Sequence, residues 1–207
     1  MLRSLRMKLM MFWVASAALL LAVTNLMAFH TALDAQFEQL RQTLMAIATT
    51  AALHVDGNLH ERIPLHPTSV TLPDYEALVT QLRTIRDAHQ TIRYVYTLTP
   101  SETSGVWYYV GDAEERRTSF PGEQYDATRY PAMLEGLRGS SADAKITVDE
   151  WGALLSGYAP INTSDGRTVG VLGIDMSGEH VLRTQAEIRR WRSYVLVLGF
   201  CLVVILG

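Results

Sequence analysis

Aromatic side chains with polar edges are concentrated in the middle of this 207-residue chain. They fall on segments that are predicted to be strands or that flank a polar loop: Tyr94, Tyr96, Trp107, Tyr109, Tyr125, Tyr130, Trp151 and Tyr158. Aromatic faces attract cations, and hydroxyl and indole groups at the ring edge hydrogen-bond polar ligands. The two-residue period of a strand places Tyr94 and Tyr96 on one face, and Trp107 and Tyr109 likewise. We therefore predict that these rings line a pocket for a small ligand. The alternative is that they fill the core of a sheet.

Two carboxylates stand where predicted strands end. Asp112 and Asp175 each follow a run of mostly apolar strand residues. A carboxylate in such a place can bind an ammonium group, so both are predicted to contact the ligand. The alternative role for Asp175 is a helix cap, because Met-Ser-Gly follows it.

A polar stretch over residues 113–128 supplies a candidate anion-binding group. A guanidinium binds a carboxylate through two parallel hydrogen bonds, so Arg117 is predicted to hold a ligand carboxylate. The alternative is a solvated charge cluster with the two preceding glutamates, since exposed ion pairs contribute little. Tyr125 and Tyr130 flank this loop and are predicted to close over a ligand.

The sequence has no arrangement typical of a catalytic or metal site. Four candidate ligands have a spacing that matches no standard metal motif: His54, Asp56, His60 and Glu61. We predict no catalytic residue, no metal and no cofactor. Three alternatives stay open. They are a divalent-cation sensor that uses the acidic surface, a purely structural dimerising module, and a membrane-anchored hydrolase that uses Asp149, Glu150 or Asp175 for acid–base catalysis.

Composition and charge exclude several classes of protein. An apolar fraction of 48% and a net charge of −3 exclude a disordered chain, and the lone Cys201 excludes a disulfide scaffold. Residues 30–188 contain all 21 acidic residues and 12 of the 18 basic ones, which gives this part a formal charge of −9. Nucleic acid is therefore excluded as a partner, because phosphate binding needs clustered Lys and Arg.

Both ends of the chain are apolar. Residues 9–29 carry no charge, and about 20 residues suffice for a helix to span the roughly 30 Å hydrocarbon core. A cleaved signal peptide is the competing interpretation, but the run exceeds its usual apolar length of about 7–15 residues. The apolar residues 194–207 are too few for a complete span, so we expect a truncated second membrane helix and a fragment of a longer protein. Arg3, Arg6 and Lys8 predict a cytoplasmic N-terminus and an extracytoplasmic middle.

A heptad pattern continues out of the first apolar segment. Its two positions are occupied by Leu26, Leu33, Leu40, Ile47 and His54, and by His30, Phe37, Leu44 and Ala51. This spacing predicts a stalk helix over residues 30–56 and a homodimer through that stalk. The alternative is a helix that packs on its own domain, and one helix can do both. Gly57 is expected to end the stalk.

The middle of the chain predicts an α+β fold. A helix is expected over residues 71–89, a short one over 130–137 and an exit helix over 177–192. Five strands are expected over residues 92–98, 106–112, 145–148, 151–161 and 168–175, the last two joined by a tight turn at Asp165-Gly166. This order favours a PAS-like antiparallel sheet of about five strands with flanking helices.

Four local motifs carry a family resemblance: AALHVDGNLHERI, YVYTLTP, PGEQY and DEWGALLSGYAPINTSDGRTVGVLGIDM. With the flanking membrane segments, they resemble the Cache (PDC, PAS-like) sensor region of bacterial transmembrane receptors. The resemblance spans residues 10–207 and implies a homodimer that binds a small molecule and signals through both membrane helices. It further implies location in the cell inner membrane, with residues 30–190 in the periplasm.

The resemblance also implies a division of the chain. Residues 1–29 would be the cytoplasmic tail and first membrane helix, 30–56 the stalk, 57–190 the sensor domain, and 191–207 the second membrane helix. The cytoplasmic output module would lie beyond this sequence. Amino-acid-binding members pair a late Asp with an Arg-x-Trp-Tyr motif. Asp175 matches the former, whereas Gly105 stands at the arginine position.

Overall fold

The computed structural model describes residues 2–115, 119–149, 152–179, 190, 193, 194 and 197. The chain divides into two structural units, residues 1–38 with 180–207, and residues 39–179. The second unit is α+β, with an open antiparallel sheet of seven strands and helices against it. This confirms the predicted fold class.

Helix α1, Leu2–Ala52, contains both the first apolar segment and the stalk. By length and composition it can cross a membrane, and its apolar side chains there are exposed, with Phe12 at 66% and Leu21 at 70%. Towards its end, Leu44 and Ala48 are fully buried. The last heptads therefore pack on their own domain, as the alternative interpretation stated, and homodimerisation stays a prediction.

The expectation that Gly57 ends the stalk is wrong. Helix α1 ends at Ala52, and Gly57 begins a second helix, α2, Gly57–Arg62. The Asp56 carboxylate caps α2 by accepting hydrogen bonds from the amides of Asn58 and Leu59. A Cβ atom on Gly57 would lie 2.3 Å from the Asn162 carbonyl oxygen. This glycine is therefore needed for close approach of two backbones.

Helix α3, Pro73–Asp87, follows a 3₁₀ turn at Pro67–Thr71. Its buried stripe is the apolar series expected of an amphipathic helix: Tyr75, Leu78, Val79, Leu82 and Ile85. The short helix α4, Pro131–Glu135, lies within the predicted 130–137 segment. The predicted exit helix lies largely outside the described residues, as do most of residues 191–207.

Seven strands form the sheet: β1 Ile92–Pro100, β2 Val106–Asp112, β3 Gln124–Asp126, β4 Ser141–Ala142, β5 Thr147–Asp149, β6 Gly152–Asn162 and β7 Thr168–Ser177. The order is β3-β2-β1-β7-β6-β4, with β5 also paired to β6. All five predicted strands are present. The two additional ones, β3 and β4, are too short to show the alternation on which a strand prediction depends.

Both faces of the central strands are covered, which explains their nearly continuous burial. On one face, glycines admit helix side chains. A Cβ on Gly157 would meet Leu44 of α1, and one on Gly111 would meet Leu78 of α3. On the other face, Tyr96, Leu98, Trp107, Met133, Tyr158 and Val171 belong to one buried cluster.

A buried histidine lies on the helix-covered face. His60 of α2 is 2% exposed, and within the described residues neither ring nitrogen has a hydrogen-bond partner. The ring packs over β7, where a Cβ on Gly170 would lie 2.7 Å from its Cε1 atom. Burial lowers the pKa of His60 from 6.5 to about 4, so the folded chain holds the imidazole neutral.

We therefore predict an acid-labile contribution from His60. Its folded pKa is depressed, so the stability it allows near neutral pH is lost as the pH falls from 6.5 to about 4. Relative to His60→Leu, the free energy of unfolding of the wild type should drop by about 3 kcal/mol across this window. Urea unfolding of the detergent-solubilised chain at stepped pH, followed by circular dichroism, measures the difference. The exposed His54→Gln is the control and should keep the wild-type acid response. A pH-independent difference between wild type and His60→Leu would contradict the prediction.

Candidate functional site

A cavity of about 410 Å³ lies on the face of the sheet opposite α3. Six tyrosines contribute to its wall: Tyr94, Tyr96, Tyr109, Tyr125, Tyr130 and Tyr158. The remaining lining residues are Asp112, Glu114, Ser119, Asp126, Arg129, Thr147, Val148, Leu154, Ser156 and Asp175. We call this site the tyrosine cavity.

The register of three neighbouring strands brings the first of these residues together. Tyr94 of β1 and Ser156 of β6 both pair with Asp175 of the intervening strand β7. One step along, Tyr96 and Tyr158 both pair with Gly173. Since paired residues point to the same face, two rows of side chains project into the cavity.

A β-bulge brings Asp112 to the same side as Tyr109. Residues three apart on a regular strand point to opposite faces. Here Leu98 of β1 pairs with Tyr109 while Thr97 pairs with Gly111, so Val110 is an extra residue on β2. The bulge shifts the alternation by one residue and allows both the ring and the carboxylate to line the cavity.

The tyrosine rings contact one another in sequence across the wall. The ring centroids of Tyr96 and Tyr109 are 5.9 Å apart, those of Tyr109 and Tyr125 5.6 Å, and those of Tyr125 and Tyr130 5.5 Å. Tyr125 reaches this position because β3 pairs with β2. Burial raises the pKa of Tyr96, Tyr109, Tyr125 and Tyr158, so their hydroxyl groups remain neutral hydrogen-bonding groups.

Two buried carboxylates stand at opposite sides of this wall. Asp175 is 6% exposed and accepts a hydrogen bond from the Tyr96 hydroxyl at 3.3 Å. Asp112 is 7% exposed and accepts hydrogen bonds from the amides of Glu114 and Ser119, each at 2.9 Å. Burial raises the pKa of Asp112, and these two amides partly offset the effect.

The described lining is acidic. It contains four carboxylates, those of Asp112, Glu114, Asp126 and Asp175, against the single guanidinium of Arg129. Carboxylates and electron-rich ring faces both favour a cation. The cavity is therefore chemically suited to an ammonium group.

Eight of the predicted site residues line this one cavity: Tyr94, Tyr96, Tyr109, Asp112, Tyr125, Tyr130, Tyr158 and Asp175. Trp107 is 2% exposed in the neighbouring core cluster and is not among the lining residues. Its ring follows the core alternative, in one buried cluster with Ala127 of the following 3₁₀ turn and with Met133 of α4. Arg117 and Trp151 lie outside the described residues.

The sequence reasoning missed six polar lining residues: Glu114, Ser119, Asp126, Arg129, Thr147 and Ser156. Ser156 precedes Tyr158 by two positions, so strand alternation could have placed both on one face. Arg129 lies in a 3₁₀ turn, and no periodic signal points to it. For the hydrolase alternative, Asp175 lies in the cavity, whereas Glu150 and the Asp149 side chain lie outside the described parts. No group of three His, Cys, Asp or Glu residues suited to a metal ion occurs among the residues described.

Comparison with known proteins gives the fold a context. No protein-family model and no curated protein sequence matches the chain. The sensory domain of the Campylobacter jejuni chemoreceptor Tlp3 with isoleucine bound aligns at a TM-score of 0.52 and 16% identity, over 84% of this chain and 66% of that one. This chain has the fold of a bacterial chemoreceptor sensory domain.

A second structure agrees. The ligand-binding domain of Campylobacter jejuni Tlp3 in complex with L-valine aligns at a TM-score of 0.50 and 16% identity, covering 84% of this chain and 67% of that one. The chain thus spans about two thirds of the length of these sensory domains. At the level of fold, the likeness confirms the resemblance to Cache-type sensor regions.

The wall of the cavity depends on Gly173, which leads to a prediction. A Cβ there would lie 2.4 Å from Cε2 of Tyr96, so Gly173→Ala must displace the ring from Asp175. Overpacking of this kind costs about 1–3 kcal/mol of unfolding free energy. Urea unfolding of the full chain measures it. Gly139→Ala is the matched control, because nothing lies within 4 Å of a Cβ at that position. Equal stability of the two variants would contradict the packing described here.

Proposed function

We propose that this chain is the extracytoplasmic sensing region of a bacterial membrane receptor. It binds a small molecule that carries an ammonium group in the tyrosine cavity. Binding is transmitted through the membrane helices to a cytoplasmic output module beyond this sequence. The observation that supports this most directly is the acidic, tyrosine-lined cavity on a chemoreceptor-type fold.

The size and lining of the cavity support the ligand class. Its volume of about 410 Å³ lies within the roughly 300–1,000 Å³ common for small-molecule sites. Asp175 and the tyrosine faces would hold the ammonium group, and Arg129 would reach a carboxylate if the ligand has one. The Tlp3 domains hold isoleucine and L-valine. Amino acids therefore belong in the test, although the Arg-x-Trp-Tyr motif lacks its arginine here.

The course of α1 supports transmission. The helix that can cross a membrane continues into the domain, where its last turns are buried. We propose that residues 30–190 lie in the periplasm, anchored in the inner membrane lipid bilayer, and that two chains associate through the stalk. Signalling then requires that the ligand bind one arrangement of the pair more tightly than the other.

A thermal-shift screen of the full chain in lipid nanodiscs tests the ligand class. The panel comprises methylammonium, L-valine, L-isoleucine, acetate, calcium and magnesium. A compound present at 100 times its Kd should stabilise the protein by about 2.7 kcal/mol. We expect ammonium compounds to raise the melting temperature and acetate to leave it unchanged.

Matched variants locate the binding. Asp175→Asn removes the buried charge and should abolish the shift, whereas Asp87→Asn, on an exposed carboxylate, should retain it. A shift only with calcium or magnesium would favour the divalent-cation alternative. Turnover of a substrate that depends on Asp175 would favour the hydrolase, and stabilisation by no compound would favour a structural dimerising module.

A further inference from the structure

One cation of the stalk holds the backbone behind the tyrosine cavity. The half-buried Arg41 donates from Nε to the Asp143 carbonyl oxygen and from Nη2 to the Ala142 carbonyl oxygen, both at 2.9 Å. These are successive carbonyl groups at the end of β4. A guanidinium that binds two neighbouring acceptors fixes both position and orientation.

The segment that Arg41 holds is the immediate neighbour of the cavity wall. Ser141 and Ala142 of β4 pair with Tyr158 and Gly157 of β6, and the Asp143 amide donates to the Ser156 carbonyl oxygen at 2.9 Å. The side chains of Ser156 and Tyr158 line the cavity. Two hydrogen-bonded steps therefore join the stalk to the wall.

The Asp143 carboxyl group is buried beside Ser156 and Arg41. It is 6% exposed, and Oδ2 has no hydrogen-bond partner among the described residues. Burial raises the pKa of Asp143 to about 6, opposed by hydrogen bonds from Ser156 and by the charge of Arg41. The Asp143 charge in turn raises the pKa of Tyr158. The ionisable groups that face this carboxyl are thus Arg41 from α1 and Tyr158 from β6.

We infer that Arg41 and Asp143 are positioning residues that couple the wall of the tyrosine cavity to the stalk helix. Arg41 holds the carbonyl groups, Asp143 orients Ser156, and ionisation of the carboxyl strengthens its attraction to Arg41. A ligand that moves Ser156 or Tyr158 would thereby move the stalk. This inference rests on the proposed function, but its test needs no ligand.

The first experiment measures local opening by hydrogen exchange of the full chain in nanodiscs. Loss of hydrogen bonds from a charged donor should speed exchange of the Asp143 amide by roughly ten- to hundred-fold in Arg41→Gln. Arg62→Gln is the matched control, because that arginine forms an exposed ion pair with Asp74. Unchanged exchange in Arg41→Gln would overturn the inference.

The second experiment is a double-mutant cycle that asks whether the wall and the stalk are coupled. Ser156→Ala removes the hydroxyl from Asp143 without touching α1. It should alter the exchange of amides 39–52 in the wild-type background, and lose that effect in Arg41→Gln. Additive effects would mean that no coupling passes through Arg41.

A pH series distinguishes positioning from a merely structural contact. The folded pKa of Asp143 is raised from 3.8 to about 6, so its contribution to stability is present at low pH and lost as the pH rises through about 6. The difference in unfolding free energy between wild type and Asp143→Asn should fall from about pH 3.8 and level off near pH 6. In the Arg41→Gln background the pH at which the difference levels off should be higher, because the neighbouring cation is gone. A levelling-off pH that stays in place would overturn the role of Arg41.

These arms separate the inference from the proposed function. Non-additive effects in the double-mutant cycle and a higher levelling-off pH in Arg41→Gln, combined with a thermal-shift panel that shows no binding, would leave the coupling standing and remove the ligand proposal. Binding of methylammonium together with additive effects in the double-mutant cycle would support the ligand proposal and remove the coupling.

Discussion

The central position of β7 in the sheet is the constraint on which the rest of the structure depends. β7 pairs with β1 on one side and β6 on the other, and both of its faces are buried. One face must admit helices, which Gly170 allows beside His60. The other face must admit a large ring, which Gly173 allows beneath Tyr96. Small residues at these two positions therefore decide both how the helices pack and how the cavity is walled.

Burial on both faces also decides the electrostatics of the site. A sheet with one solvated face would leave the ends of its strands in water, where carboxylates and phenols keep their ordinary pKa values. Here Asp112 and Asp175, the two buried carboxylates of the cavity lining, are 7% and 6% exposed. Solvent therefore screens the charges of these cavity carboxylates only weakly. A cation would gain more from these carboxylates than it would from the same residues on a surface.

Sequence patterns predicted the parts of the fold that repeat. The five predicted strands, the stripe of α3 and eight of the lining residues follow from period and composition. The rest of the fold and of the cavity depends on single features that no repeating pattern in the sequence records. The bulge at Val110 turns Asp112 towards the cavity, and Gly57 begins a helix because the Asn162 backbone approaches it. The contact of Arg41 with the Asp143 carbonyl joins residues 102 positions apart, and no local pattern records such a pairing.

Two buried ionisable groups in the described part of the chain oppose each other over the same pH range. Burial keeps His60 neutral, so its contribution to the free energy of unfolding increases as the pH rises from about 4 to 6.5. Burial favours the protonated form of Asp143, so its contribution to the free energy of unfolding decreases as the pH rises from 3.8 through about 6. The two slopes have opposite signs over an overlapping pH range, so these two contributions oppose each other in the wild type. The cost of charging Asp143 behind Ser156 and Tyr158 is therefore partly offset by the neutralisation of His60. Because part of this cost is offset, Asp143 can ionise while the domain stays folded. Its charge can then adjust Ser156 and Tyr158 in the cavity wall.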